Sequence, residues 1–227
     1  TQKYFYQSSD NKMVFEAPWN GADTDTSSNS PRSELRGTLA NGSEDNWKPY
    51  DPATGVGTHS LQASCRLVSA NSKVIIGQIH AETPNTSPAP ADGVPAITLF
   101  HEGSGTANKR IRLAVYYSPD GSVTDTGGSK DATFPLVSGV QLDDRIDYQL
   151  KLVGSSAGAV TNYAIISVNG GTTFTNTVSM TSDPIFSGWG NSNVTLYFKA
   201  GCYYPKATNN SGTAKVTFST LTATHEP

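Results

Sequence analysis

The sequence predicts an all-β protein, a sandwich or jelly roll of two antiparallel sheets. Three observations carry that expectation. Apolar and polar residues alternate with period two in segment after segment, the pattern of a strand with one buried and one solvated face. Gly, Pro, Asn and Asp cluster between those segments, and the 227 residues include 21 Gly and 13 Pro. No stretch sustains a helical period beyond short turns near Asp183-Pro184-Ile185-Phe186.

The elements follow in chain order. Residues 31–37, if extended, project Arg32, Glu34 and Arg36 from one face. Residues 60–68 place Leu61, Ala63, Cys65 and Leu67 together, and residues 77–81 place Gln78 beside His80. Residues 109–117 separate Ile111, Leu113 and Val115 from Arg110, Arg112 and Ala114. Residues 148–153 and 163–168 repeat the style, and Asn169-Gly170-Gly171 after them reads as a hairpin turn, with Asp120-Gly121 as another. Residues 193–204 set Tyr197, Lys199, Gly201 and Tyr203 on one face and Leu196, Phe198, Ala200 and Cys202 on the other, and residues 214–224 alternate again. The polar stretches 83–95 and 118–135 are expected to be long loops of the kind that often act as lids or binding loops. No linker or internal repeat divides the chain, so one domain over 1–227 is expected.

Charged residues make up 15% of the chain and the formal net charge is −3. That excludes a coiled coil, and it argues against a nucleic-acid binder because no basic excess exists to displace counterions from phosphates. No apolar run approaches the ~20 residues needed to span a bilayer, so no membrane partner is expected. The start at Thr1-Gln2-Lys3 lacks a basic n-region and an apolar h-region, and the expectation is a mature secreted, extracellular protein. Sequons at Asn41, Asn85, Asn193 and Asn209 would make it a glycoprotein in a eukaryotic secretory host.

Three segments break the ordinary surface pattern. A solvated sheet face carries Ser, Thr, Lys and Glu without order. Here Arg32, Glu34 and Arg36, then Gln78 and His80, then Tyr197, Lys199 and Tyr203 each share a parity opposite to an apolar face. If the three strands share a sheet, they make a cationic, aromatic groove suited to a long anionic polymer of flat rings.

The segments Arg32-Ser33-Glu34-Leu35-Arg36, Gln78-Ile79-His80 and Tyr197-Phe198-Lys199-Ala200-Gly201-Cys202-Tyr203 resemble the three signature motifs of the polysaccharide lyase family 7 alginate lyases, in the family's order. The resemblance implies a β-jelly roll with a substrate groove in its concave sheet, no metal or other cofactor, and β-elimination of uronate polymers. Two departures stand out. Tyr204-Pro205 follows Tyr203 where the family usually continues Asn-Gln, and Cys202 stands where an aliphatic residue is more usual. Both bear on subsite preference more than on the reaction.

A uronate lyase removes the weakly acidic C5 proton, which requires the neighbouring carboxylate to be neutralised. The resemblance gives that task to Arg32, Gln78 and His80. Tyr203 is then both base and acid where C5–H and O4 lie on one side of the sugar, as in mannuronate. Where they lie on opposite sides, as in guluronate, His80 is the base and Tyr203 the acid. Lys199 and the arginines favour a phenolate. Arg36 and Lys199 are expected to bind neighbouring carboxylates, Tyr197 to line the groove, and Glu34 to orient the arginines. The expected partner is alginate, cut internally by a monomer. Mannuronate-rich blocks are the first expectation, Ile79 is the variant associated with guluronate or mixed activity, and block preference stays open.

The alternatives are a glucuronan lyase on the same scaffold and a non-catalytic polyuronate-binding module. A glycoside hydrolase would need two facing carboxylates, and Glu34 is the only acid in the motif strands. His59, His101 and His225 rank below His80. No cluster has metal-ligand spacing, although Asp143-Asp144 and Asp120 offer loop oxygens for a structural calcium. Cys65 and Cys202 both fall on apolar faces, which fits either a disulfide or two separate buried thiols.

Overall fold

The computed structural model describes residues 4–21, 30–82, 94–102, 109–117, 131–181, 186–190, 194–205 and 212–227. These form thirteen strands: β1 Phe5–Gln7, β2 Met13–Pro18, β3 Arg32–Arg36, β4 Thr58–Ser69, β5 Val74–Glu82, β6 Pro95–His101, β7 Arg110–Tyr116, β8 Asp131–Ser138, β9 Ile146–Gly154, β10 Val160–Val168, β11 Phe174–Ser179, β12 Thr195–Tyr203 and β13 Thr213–Glu226. A short 3-10 turn, Ser187–Gly190, is the only helical element among the described residues. One sheet has the order β1-β2-β13-β4-β9-β10-β11 and the other the order β3-β12-β5-β6-β7-β8. The pairings are antiparallel, and the late strands β12 and β13 insert between early ones, which is the jelly-roll arrangement the periodicity pointed to.

The core lies between the sheets and is built from the apolar parities read in the sequence. Leu61, Ala63, Cys65 and Leu67 of β4 face Ile111, Leu113 and Val115 of β7 and Leu196, Phe198, Ala200 and Cys202 of β12 within one buried cluster. At roughly 25 cal/mol per Å² of apolar surface, burial on this scale is the main term holding the sheets together. β9 alternates buried and half-buried residues, as a strand with one solvated face should. β5 differs: every residue from Val74 to Ala81 is buried, so its outer face is covered too, by side chains of the neighbouring strands such as Tyr197 against His80 and Glu34 against Gln78.

Local chemistry explains the connections. Asn169 and Gly170 both have positive φ (52° and 72°), and the Gly171 N–H donates to the Val168 carbonyl at 2.9 Å, so the expected hairpin turn joins β10 to β11. The stretch expected as a loop to 135 ends earlier, because β8 begins at Asp131. Pro135 is tolerated inside β8 because that strand is the edge of its sheet and needs no outward N–H. The Asp120-Gly121 turn, most of 83–95, and the sequons at Asn85, Asn193 and Asn209 lie outside the described residues. Cys65 and Cys202 are free, on different sheets, and burial pushes both thiols up.

Gly77 is fixed by the opposite sheet. Tyr148 of β9 reaches across the core and donates its hydroxyl to the Ile76 carbonyl at 2.9 Å. A Cβ on Gly77 would lie 2.8 Å from that phenolic oxygen. Replacing Gly77 with Ala is expected to destabilise the protein by about 1–3 kcal/mol through overpacking, seen as a lower Tm. Adding Tyr148→Phe should return part of the loss. An unchanged Tm for Gly77→Ala would refute the steric account.

Candidate active site

The three unusual strands are neighbours. β12 lies between β3 and β5, with Lys199 opposite both Arg36 and Gln78, Tyr197 opposite His80, and Tyr203 opposite both Arg32 and Ile75. Arg32, Glu34, Arg36, Gln78, His80, Tyr197, Lys199 and Tyr203 therefore share the face turned away from the core, with His80 level with Tyr197 and Tyr203 level with Ile75. Three irregularities shape it. The register shifts in β5–β6 between Ile75 and Gly77 and again between Ile79 and His80, and in β12–β5 between Ala200 and Tyr203. Gly201 sits in the last of these with φ at 152°, and a Cβ there would run into the Ser33 carbonyl of β3. Glycine lets β12 press against β3 at this point.

Glu34 is the hub. It accepts a hydrogen bond from Gln78 Nε2 at 2.5 Å and pairs with Lys199 Nζ at 2.8 Å, with only 4% of its side chain exposed. It thus orients Gln78 and Lys199 rather than the arginines. Arg36 is held elsewhere: its Nη2 meets Glu82 at 2.6 Å, Asn46 at 2.8 Å and Glu44 at 3.1 Å, while its guanidinium lies 3.7 Å from the centre of the Tyr197 ring. Arg32 stacks in the same way on Tyr203 at 4.3 Å. Cations over aromatic faces are attracted by the ring quadrupole, which fixes both rings and both guanidinium planes. Arg36 and Lys199, expected to await substrate carboxylates, are already paired with the protein's own.

His80 is buried and its Nδ1 lies 3.0 Å from the Ala81 carbonyl. A carbonyl only accepts, so Nδ1 carries the hydrogen and Nε2 keeps its lone pair. Burial pushes the imidazole pKa down to about 4, helped by the cations of Lys199, Arg32 and Arg36 and opposed by the Ala81 bond. The resting ring is a neutral acceptor. Tyr203 packs against a small apolar cluster of Ile75, Phe100 and Ala114, separate from the sandwich core. The Tyr116 hydroxyl is pushed up by burial and by the fields of Asp131 and Tyr203, which places it near the same spot.

The remaining histidines lie off this face. His59 and His225 touch through their Nδ1 atoms at 2.7 Å, Asp45 takes the other nitrogen of His225 at 3.0 Å, and Trp47 stacks on His59 at 4.0 Å. His101 reaches the Val140 carbonyl. Asp144 accepts from the Gln141 N–H and from Asn169, each at 2.7 Å, so its oxygens brace a turn, and Asp120 lies outside the described residues. Among the described residues no group of three His, Cys, Asp or Glu is placed to hold a metal. The sequence reading missed Glu82, although it continues the parity of Gln78 and His80. It also missed Glu44 and Asn46, whose segment is tied to β12 by paired Trp47–Leu196 backbone bonds that leave no local signature.

Two predictions follow from this geometry. Glu34→Gln should lower kcat/KM by about 10-fold or more by freeing Lys199 and loosening Gln78, with Tm little changed; undiminished turnover would remove Glu34 as the organiser. The second concerns pH. His80 and His59 are both held at about 4 in the fold, against about 6.5 when unfolded. Between those values the unfolded chain binds more protons, so stability rises with pH across the window and falls on acidification. Tm should drop as pH is lowered from about 6.5 to 4, and His80→Asn should flatten the slope. A wild-type Tm constant over that window would contradict the burial of both rings.

A family model described as Alginate lyase matches residues 1–225. A comparison with curated proteins finds no match. Among solved structures the chain is similar to the alginate lyase from Klebsiella pneumoniae, with a TM-score of 0.77, 23% identity, and 100% of this chain and 85% of that chain covered. It is similar to the alginate lyase PA1167 from Pseudomonas aeruginosa, with a TM-score of 0.69, 28% identity, and 100% and 87% of the two chains covered. It also resembles the family 7 alginate lyase A1-II′, with His→Asn and Tyr→Phe substitutions and in complex with substrate, at a TM-score of 0.70 and 25% identity over 99% and 82% of the chains.

Proposed function

Because the chain belongs to the alginate lyase family, and so to the polysaccharide lyases, we propose that it cleaves alginate internally by β-elimination and leaves 4,5-unsaturated uronate ends. The observation that carries this reading is the convergence on one face of a neutral imidazole acceptor, a phenol and a set of fixed donors. Gln78 and Arg32 are the groups to neutralise the carboxylate of the reacting sugar, which makes its C5–H acidic enough to lose. His80 Nε2 takes that proton. The electrons of the C5–H bond form the C4–C5 double bond as the C4–O4 bond breaks, and the Tyr203 hydroxyl protonates O4. The phenolate then regains a proton as imidazolium and solvent exchange theirs. A bound carboxylate opposes the three cations that depress His80, so substrate itself raises the basicity of the ring.

The protonation of His80 also favours one substrate geometry. With Nδ1–H tied to Ala81, the ring has no hydrogen to offer a carboxylate, and its free function is acceptance. That supports the division of labour in which imidazole and phenol act from opposite sides, the guluronate case. A hydrolase finds no support here, since Glu34 is paired with Lys199 and Glu82 with Arg36. The groove is made by strands of one chain, so the reading needs no partner subunit. A polymer of this size is met outside the cell, so the reading includes secretion.

The test is ultraviolet absorbance during incubation with polymannuronate, polyguluronate and glucuronan in parallel, with viscosity followed alongside. The expected result is a rise on alginate blocks, strongest on polyguluronate, with viscosity falling early as internal cuts accumulate. Tyr203→Phe should cost about 10²-fold or more in turnover while polymer binding persists. A rise on glucuronan alone would reassign the substrate. Binding without any rise would make the face a recognition groove without chemistry.

A further inference from the structure

The groove face extends beyond the motif strands. Across four adjacent strands the register runs Tyr203 of β12, Ile75 of β5, Phe100 of β6 and Arg112 of β7. Ile75, Phe100 and Ala114 are the floor of this stretch, and Tyr203 closes one end of it. Lys73 has the parity of Ile75, and its ammonium lies 4.5 Å from the centre of the Phe100 ring. The Arg112 guanidinium lies 5.9 Å from the same centre. Phe100 is only 5% exposed, so the two cations roof an aromatic ring beside the catalytic tyrosine.

The charges here do not balance. Glu102 is shared between Arg110, at 2.9 Å and 3.3 Å, and Arg112 Nη1, at 3.0 Å. The field of Asp131 also reaches Lys73. Among the described residues three cations thus face two carboxylates. Lys73 is exposed, and among the described residues it makes no ion pair. Arg112 Nε is buried and has no hydrogen-bond partner. Arg36 and Lys199 in the motif strands, by contrast, are each matched by a carboxylate.

We infer that Lys73 and Arg112, standing over Phe100, form a subsite for the carboxylate of a further uronate residue, on the side of Tyr203 opposite Arg32. This rests on the reading of the groove as a polyuronate site. At 4.7–4.9 Å per strand, Arg112 stands roughly 14 Å from Tyr203 measured along the sheet, farther than the ring undergoing elimination reaches. The subsite therefore contributes binding of the chain and not the chemistry. It also sets how long a substrate must be to gain full affinity.

Kinetics on oligomers of increasing length and on polymer test this with Lys73→Gln and with Lys73→Gln/Arg112→Gln. The expected result is an unchanged kcat throughout, an unchanged KM on the shortest oligomer cleaved, and a KM on polymer raised about 10-fold in the double variant. A KM that rises equally at every length, or does not rise on polymer, overturns the subsite. The wild-type enzyme separates this from the parent reading. If it gives no absorbance rise with any polyuronate, the proposed reaction fails on its own, and retardation in gels containing alginate then decides the subsite. Retardation weakened by Lys73→Gln supports it, and equal retardation of variant and wild type refutes it.

Discussion

The groove face depends on the register of β12 between β3 and β5. Side chains on a strand alternate strictly, so a slip of one residue would turn Tyr197, Lys199 and Tyr203 into the core and expose Leu196, Phe198 and Cys202. Apolar burial on the core side resists that slip, because Leu196, Phe198, Ala200 and Cys202 are almost wholly buried. On the groove side Glu34 adds a second lock. A carboxylate this buried is costly unless its charge is matched and its oxygens are bonded. Lys199 on the adjacent β12 matches the charge at Oε2, and Gln78 on β5, one strand further, donates to Oε1.

The same electrostatics define the resting state of the site. Most of its cations are neutralised from within the protein, so the face is a lattice of paired charges rather than an open positive trough. This explains how a chain with a formal net charge of −3 can present guanidinium and ammonium groups to an anionic polymer. It also keeps His80 in the state that its proposed role as base requires. Burial and nearby cations disfavour the imidazolium, and the Ala81 carbonyl selects the tautomer with a free Nε2. In the proposed reaction a substrate carboxylate entering this lattice would compete with Glu34 and Glu82 for donors already oriented, which limits the reorganisation needed on binding.

Glycine permits two close approaches on which the geometry rests. At Gly77 the phenol of Tyr148 fills the space a side chain would take, coupling the groove strand β5 to the opposite sheet. At Gly201 the backbone of β3 comes in instead. Bulges accentuate local twist and re-aim the side chains beside them. Here they bring Tyr203 level with Ile75 and onto the apolar floor. The site is thus built on strands held by the core.

The sequence by itself determined what depends only on near neighbours along the chain. The parity of each strand separated the core face from the opposite face for β4, β5, β7 and β12 without reference to any partner; β3 departs, because Leu35, opposite its charged residues, is exposed rather than in the core. Asn169-Gly170 gave its turn because positive φ is a local property. What only the tertiary structure decided is which parities meet. Arg32 and Tyr203 are separated by most of the chain, and nothing in the segments around them encodes that they pair, since strand adjacency is fixed by the closure of the whole sandwich. The same holds for Glu44 and Asn46 beside Arg36, for Tyr148 beneath Gly77, for two cysteines that share a parity but not a sheet, and for Lys73 over Phe100. Each is a contact between distant segments, set by topology and register, and a period of two carries no information about either.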